Sequence, residues 1–318
     1  MVAIRLTRAL ATLLAVSLVV FVSLEVLPGS YARNMLGQSA TEETVRNFER
    51  RLGLDQPAWL RYVKWIGGAA TGDLGNAYSG ADSSAAPRKV TDILAPRLRN
   101  TFFLAFLAAI VAVPVALAAG LLAALFRHRW PDRLLNTSSL AVAATPEFVI
   151  AYAVMFVFAI KLGWQKPLST LAPNATLGEL TAAAALPAAT LALGIIAHML
   201  RMTRTAVVDI LSTTYIETAR LKGLSDLKVI VRHALPNAWA PIGMVIAFNL
   251  AYLVVGVVVV EAVFTYPGVG QLLVDAVTSR DMPIVQACIL LFATVYIVLN
   301  MAAEIISIVT NPRLLHPR

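Results

Sequence analysis

Apolar residues run in six long blocks, at positions 9–27, 101–126, 134–160, 182–200, 238–260 and 284–303. Each is close to the roughly 20 residues that a helix needs to cross a bilayer core. The second and fifth blocks carry no charge, the first holds Glu25, the third holds Glu147, and the sixth frays past Glu304. Pro114, Pro146 and Pro187 fall inside blocks. Proline is tolerated in a membrane helix when neighbouring helices satisfy the freed backbone groups. The pattern therefore predicts an all-α integral membrane protein, a packed bundle of six transmembrane helices. Arg5 and Arg8 precede the first block and Ser30-Tyr31-Ala32 follow it, loosely like a cleavable signal. Its apolar run exceeds an ordinary signal core, so a retained helix is expected.

Composition strengthens this reading. Hydrophobic residues make up 58% of the 318 positions and charged ones 14%, against about 45–50% and 25% in soluble domains. Mean hydropathy is +0.74. An ordinary soluble enzyme, a nucleic-acid module and a disordered chain are excluded. The net charge of +8 belongs to loops rather than to a nucleic-acid surface, because cytoplasmic loops collect Lys and Arg. With the N-terminus inside, thirteen of the 26 basic residues fall on the inner side and three (Lys161, Lys166, Arg280) in the short outer loops. The other ten lie between Arg33 and Arg99, in a segment too long to count. Both termini are expected in the cytoplasm. Trp130, Trp164 and Trp239 fall near block ends, at the level of an aromatic belt. The expected organisation is a tail at 1–8, a first span at 9–27, and an extracytoplasmic loop at 28–97. A five-helix core at 98–311 with an inner loop at 209–237, and a tail at 312–318, complete it.

Two loops are more than connectors. In the outer one, Ser39-Ala40-Thr41-Glu42 reads as a capping box opening a helix that Gly53 ends. Trp59, Tyr62 and Trp65 follow at three-residue spacing and share a helix face. That face rests on the bilayer or other helices, or receives an external partner. The stretch SGADSSAAP, 79–87, is a loop signal. The inner segment reads DILSTTYIETARLKGLSDLKVIVRHALPNAWAP from Asp209. Tyr215 to Lys222 suits a short helix, Gly223 its C-cap and Ser225 the N-cap of a second helix. Pro236 marks the return to the membrane. This makes either a knob that docks into a soluble partner or an amphipathic segment lying on lipid.

Familiar chemistry is missing. The sequence has no GxxxxGK[ST] phosphate loop and no HExxH; Cys288 stands alone, and His128, His198, His233 and His316 are scattered. Gly268-Val269-Gly270 lacks the third glycine of a dinucleotide fingerprint. No catalytic residue and no metal site are expected. Glu147, Asn249 and Asn300 are the polar groups within blocks that suit a pathway, or merely interhelical bonding. Arg201 suits snorkelling to the interface.

The inner loop resembles the coupling motif of membrane permeases in bacterial binding-protein-dependent ABC importers. Glu217-Thr218-Ala219, Gly223 and His233-Ala234-Leu235-Pro236 stand at the family's spacing. Thr218 replaces the middle alanine and His233 an isoleucine. Gly72-Asp73-Leu74-Gly75, RLRNTFFLAF, TPEFVIA, EAVFTYPGVGQLLVDAV and RDMPIVQ are similar to the dipeptide and oligopeptide branch. The resemblance covers nearly the whole chain and fits the first permease of a pair. It implies a type I importer-like transmembrane domain in a bacterial inner membrane, carrying half of a pathway for di- or oligopeptides or related solutes. It implies ATPase coupling through Glu217, Ala219, Arg220, Gly223, Leu235 and Pro236. Implied partners are a homologous second permease, two ATP-binding subunits that hold ATP and Mg, an extracytoplasmic substrate-binding protein and membrane lipid, with no nucleic acid. The chain itself would hold no cofactor and perform no catalysis. The alternative is a stand-alone secondary transporter or channel subunit, which needs its own ion-coupling residues at mid-membrane.

Overall fold

The computed structural model describes residues 2–26, 32, 41–78, 88–172 and 175–310; the side chains of 2–4, 220, 226–227, 230, 239–240, 255 and 306–310 lie outside that description. The described chain is helical apart from its turns and one isolated bridge, Asn76 to Lys89. In order the helices are α1 (Val2–Val26), α2 (Glu42–Arg51), α3 (Ala58–Thr71), α4 (Val90–Leu125) and α5 (Trp130–Ala144). Next come α6 (Glu147–Val154), running on as a π-helix over Met155–Lys161, α7 (Leu177–Leu211) and α8 (Thr214–Leu221). The last are α9 (Asp226–Val229), with a π-turn over Ile230–Ala234, α10 (Leu235–Phe264), α11 (Val269–Ser279) and α12 (Met282–Thr310). Four helices are singly long and apolar enough to cross a membrane, and bent pairs raise the count to as many as seven.

The spans depart from the sequence blocks in instructive ways. The helix of the second block, α4, starts at Val90, ahead of its block, because polar Thr91, Asp92 and Arg97 are compatible with helix outside lipid. The third block is not one helix. It breaks into α5 and α6 with a 105° bend. Thr145 is extended at φ −90°, ψ 129°, as a residue before proline must be, and Pro146 then starts α6. Glu147 thus sits at the first turn of a new helix. The fifth block is bent by 48° between Val231–Ala238 and Pro241–Val254. The capping of α2 also differs: Thr41, not Ser39, takes the N-cap, its hydroxyl accepting from Thr44 N at 3.3 Å. Ser39 and Ala40 lie outside the described residues. Gly53 follows the helix at φ +70°, as expected of its terminator.

The chain divides into two compact units, Met1–Thr101 with Pro267–Thr294, and Phe102–Tyr266 with Val295–Arg318. In the first unit, Val90, Leu94, Val269, Leu272, Ile284, Val285 and Cys288 form a buried core. The side chains that close it are distant in sequence. Thr101 Oγ1 accepts from Val269 N at 2.8 Å, capping the start of α11. Asn100 Nδ2 donates to Pro267 O at 2.8 Å, and buried Asp281 accepts from Tyr78 N at 3.1 Å. Phe21 of α1 meets Tyr62 edge-on at 5.3 Å and Trp65 stacked at 6.4 Å. Tyr62 and Trp65 therefore rest on another helix, while Trp59 is 68% exposed.

The second unit packs α7 at its centre. Leu104, Ala108, Ala112 and Ala116 of α4 meet Ala184, Leu191, Ile195 and Met199 of α7, with Leu253, Val257 and Val260 of α10. Small residues let these backbones approach closely. At Gly120 a Cβ would lie 2.8 Å from Thr203 Cβ and 2.9 Å from Leu200 O, so only glycine fits. One residue on, Arg204 donates to Asp132 of α5 through Nε at 2.6 Å and Nη2 at 2.8 Å.

Candidate functional site

The site is the segment between α7 and α10. α7 ends at Leu211, and after Ser212 and Thr213 the chain re-enters helix as α8. Thr213 O accepts from Ile216 N and Glu217 N, at 3.0 and 3.2 Å, which ties the first turn of α8 to the end of α7. The apolar side of α8 is narrow. Ile216 is fully buried and Ala219 nearly so, packed with Val207, Leu211, Val229, Ala234, Ala238 and Ile242. Ala219 is small because it faces this cluster. Glu217 and Leu221 lie on the exposed side, Leu221 at 84%.

Gly223 turns the chain at φ +80°. A Cβ there would meet nothing within 4 Å, so the backbone angle, not crowding, demands glycine. Ser225 O then accepts from Val229 N at 2.9 Å, opening α9. Tyr215 Oη lies 2.7 Å from His233 Nδ1, their rings edge-to-face at 5.7 Å. This pair joins α8 to the π-turn that leads into α10. The histidine at the place of an apolar motif residue thus has a partner within the knob. Leu235 packs against the same cluster, and Pro236 occupies the first turn of α10, directly after the π-turn. Of the six residues implied for coupling, Glu217 and Ala219 lie on α8, Gly223 in the turn after it, and Leu235 and Pro236 at the start of α10. The side chain of the sixth, Arg220, lies outside the described residues.

The three candidate pathway residues make separate contacts. Asn249 is buried, donating to Val245 O at 2.7 Å and approaching Met202 Sδ at 3.9 Å. Asn300 donates to Tyr296 O at 2.9 Å. Both bond a carbonyl four residues back on their own helix. The Glu147 carboxylate lies against Gly256, where a Cβ would stand 2.6 Å from Oε1. Among the described residues no group of His, Cys, Asp and Glu could hold a metal.

Sequence reasoning missed the Asp132–Arg204 network. Asp132 is 4% exposed and also accepts from His128 N at 2.9 Å and Asn136 Nδ2 at 2.5 Å. His128 takes φ +65° to present its N–H. The one sequence signal was an aspartate just ahead of the third block, next to Trp130-Pro131.

Comparison with known proteins accords with this architecture. Residues 116–316 match the family model for the binding-protein-dependent transport system inner membrane component, and residues 1–105 match its N-terminal companion. The glutathione transport system permease protein GsiC of Escherichia coli O6:H1 is 37% identical over 308 residues, 97% of this chain and 96% of that protein. GsiC of Escherichia coli K12 is 36% identical over the same coverage. The inward-facing MetNI methionine ABC transporter shares the fold, with a TM-score of 0.57 and 16% identity over 69% of this chain and 96% of the solved one. The chain is therefore a multi-pass inner-membrane protein and a transport component rather than an enzyme. With family models covering both parts and a permease relative matched nearly end to end, it belongs to the inner-membrane permeases of binding-protein-dependent ABC importers.

Proposed function

We propose that this chain is the first of two paired permeases in an importer of short peptides, the class that includes the tripeptide glutathione. It lines half of the pathway, and a homologous second permease lines the other half. Two ATP-binding subunits, which hold ATP and Mg, dock on the knob built from α8 and α9. An extracytoplasmic binding protein delivers the substrate to the side bearing loop 28–97. Both termini face the cytoplasm, since basic residues concentrate in the loops on that side. In this reading Glu217 and Arg220 contact the ATPase. Ala219, Gly223, Leu235 and Pro236 set the shape of the knob. Glu147, Asn249 and Asn300 face the pathway when the helices rearrange.

The observation that carries the reading is the knob itself. Its apolar side is sealed by Ile216, Ala219 and Val229, which supports a folded projection over a helix lying flat on lipid. The test uses Gly223. Gly223→Val puts a β-branched residue at φ +80°, which costs about 1–2 kcal/mol or more. Gly223→Asn is tolerated in that conformation. Uptake should be lost in the valine variant and kept in the asparagine variant, both inserting normally into membranes. Normal uptake by Gly223→Val would defeat the assignment.

A further inference from the structure

The first unit holds a cavity of about 790 Å³ walled by the last turns of α1, the end of α2, α3, the segment 73–78 and the start of α12. Its wall carries charges of both signs. Arg61 Nη2 pairs with Glu25 at 2.5 Å, and its guanidinium stands 6.0 Å from the Phe21 ring. Lys64 Nζ donates to Gln56 Oε1 at 2.7 Å, and Glu49 lines the same space. Trp65 Nε1 is buried and finds no acceptor among the described residues. A buried donor without an acceptor is costly, so an acceptor brought by a ligand is favoured there. Burial pushes the Tyr78 phenol up to about 12, so this wall residue stays a neutral hydroxyl at physiological pH.

The cavity also has a defined depth. α3 accompanies α1 down to Ser17, whose Oγ lies 2.9 Å from Tyr62 Oη. Ser17 precedes the Val26 end of α1 by about 14 Å at 1.5 Å per residue. The cavity therefore sits where α1 leaves the hydrocarbon. Leading to it, Leu10, Leu14, Leu18 and Val22 repeat every four residues along α1, each 48–61% exposed. Four-residue spacing makes them one continuous apolar row.

An anion-accepting group and a cation-accepting group at bilayer depth, with an apolar track alongside, match one kind of molecule. We propose that this cavity seats the headgroup of an ethanolamine phospholipid. Its phosphate meets Arg61, Lys64 and the Trp65 N–H, its ammonium meets Glu25 and Glu49, and one acyl chain follows the row from Val22 to Leu10. A headgroup without the amine offers no cation to Glu49 and leaves Glu25 with Arg61 alone. A trimethylated amine cannot donate hydrogen bonds to them.

The test is lipid retention by the purified full-length chain, read by native mass spectrometry after incubation with equal parts ethanolamine, glycerol and choline phospholipids. One ethanolamine phospholipid should stay bound, with the other two retained about tenfold less, the size of one lost charge-assisted hydrogen bond. Lys64→Glu alters an exposed side chain and leaves the fold intact; it should lower retention about tenfold, and adding Arg61→Gln should abolish it. Equal retention of the glycerol lipid, or unchanged retention in Lys64→Glu, would overturn the proposal. So would displacement of the lipid by excess glutathione, which would assign the cavity to a soluble peptide.

Discussion

Replacing Asp132 by alanine tests how α5 and α7 are held together in the second unit. The carboxylate accepts from two guanidinium nitrogens, a backbone N–H and an amide, all within 2.5–2.9 Å. Its side chain is 6% exposed and that of Arg204 22%. Removing one member of a buried pair leaves the other charge desolvated and uncompensated, which costs about 3–5 kcal/mol. Here Arg204 keeps some solvent access, so the lower part of that range, about 3 kcal/mol, is expected. The loss also frees His128 N, whose residue takes a positive φ of 65°. Unfolding in mixed micelles of the single variants Asp132→Ala and Arg204→Ala, and of the double variant, would measure the pair. The double variant should be no less stable than either single one, giving a coupling of about 2 kcal/mol or more. Additive losses would refute the claim that the two side chains act as one unit.

Gly120→Ala should destabilise by about 1–3 kcal/mol through overpacking, and Thr203→Ala should relieve only part, because the Leu200 carbonyl 2.9 Å away is backbone; thermal unfolding in detergent reads both. Thr101→Val removes the acceptor for Val269 N and should cost about 1–3 kcal/mol, with Thr101→Ser close to wild type by the same measurement. Tyr215→Phe breaks the bond to His233 and should speed hydrogen exchange in residues 230–234 while costing at most about 1.5 kcal/mol; unchanged exchange would count against the pair as a brace.

Much of the bundle was legible because lipid imposes a simple rule. Apolar runs of the required length stand out whatever their partners, and Gly223 and Pro236 announce a turn and a helix start by their backbone limits alone. The bend at Thr145 was less legible, since Pro146 in an apolar run is compatible with a kink inside one helix as well as with a break. Asp132 and Arg204 are separated by 72 residues, and nothing local in either segment encodes the other. The same holds for Thr101 with Val269 and Asp281 with Tyr78. Asn249 and Asn300 stand out in the sequence as amides in apolar runs, but their bonds to carbonyls one turn back, an option open to any asparagine in a helix, are not encoded by any local signal.

The contacts at Thr203 and Arg204 have a mechanical consequence for α7. This helix is 35 residues long, about 52 Å at 1.5 Å per residue, and it is gripped at adjacent residues by two neighbours, by close packing on α4 and by an ion pair to α5. The grip is about 12 Å from the Leu211 end, where the knob begins, and about 39 Å from the Leu177 end. A stiff rod pivoting there is a lever with unequal arms, about one to three. Its long arm is packed on α4 and α10 through Ala184, Leu191, Ile195 and Met199, so sideways travel imposed on Leu211 carries those two helices with it.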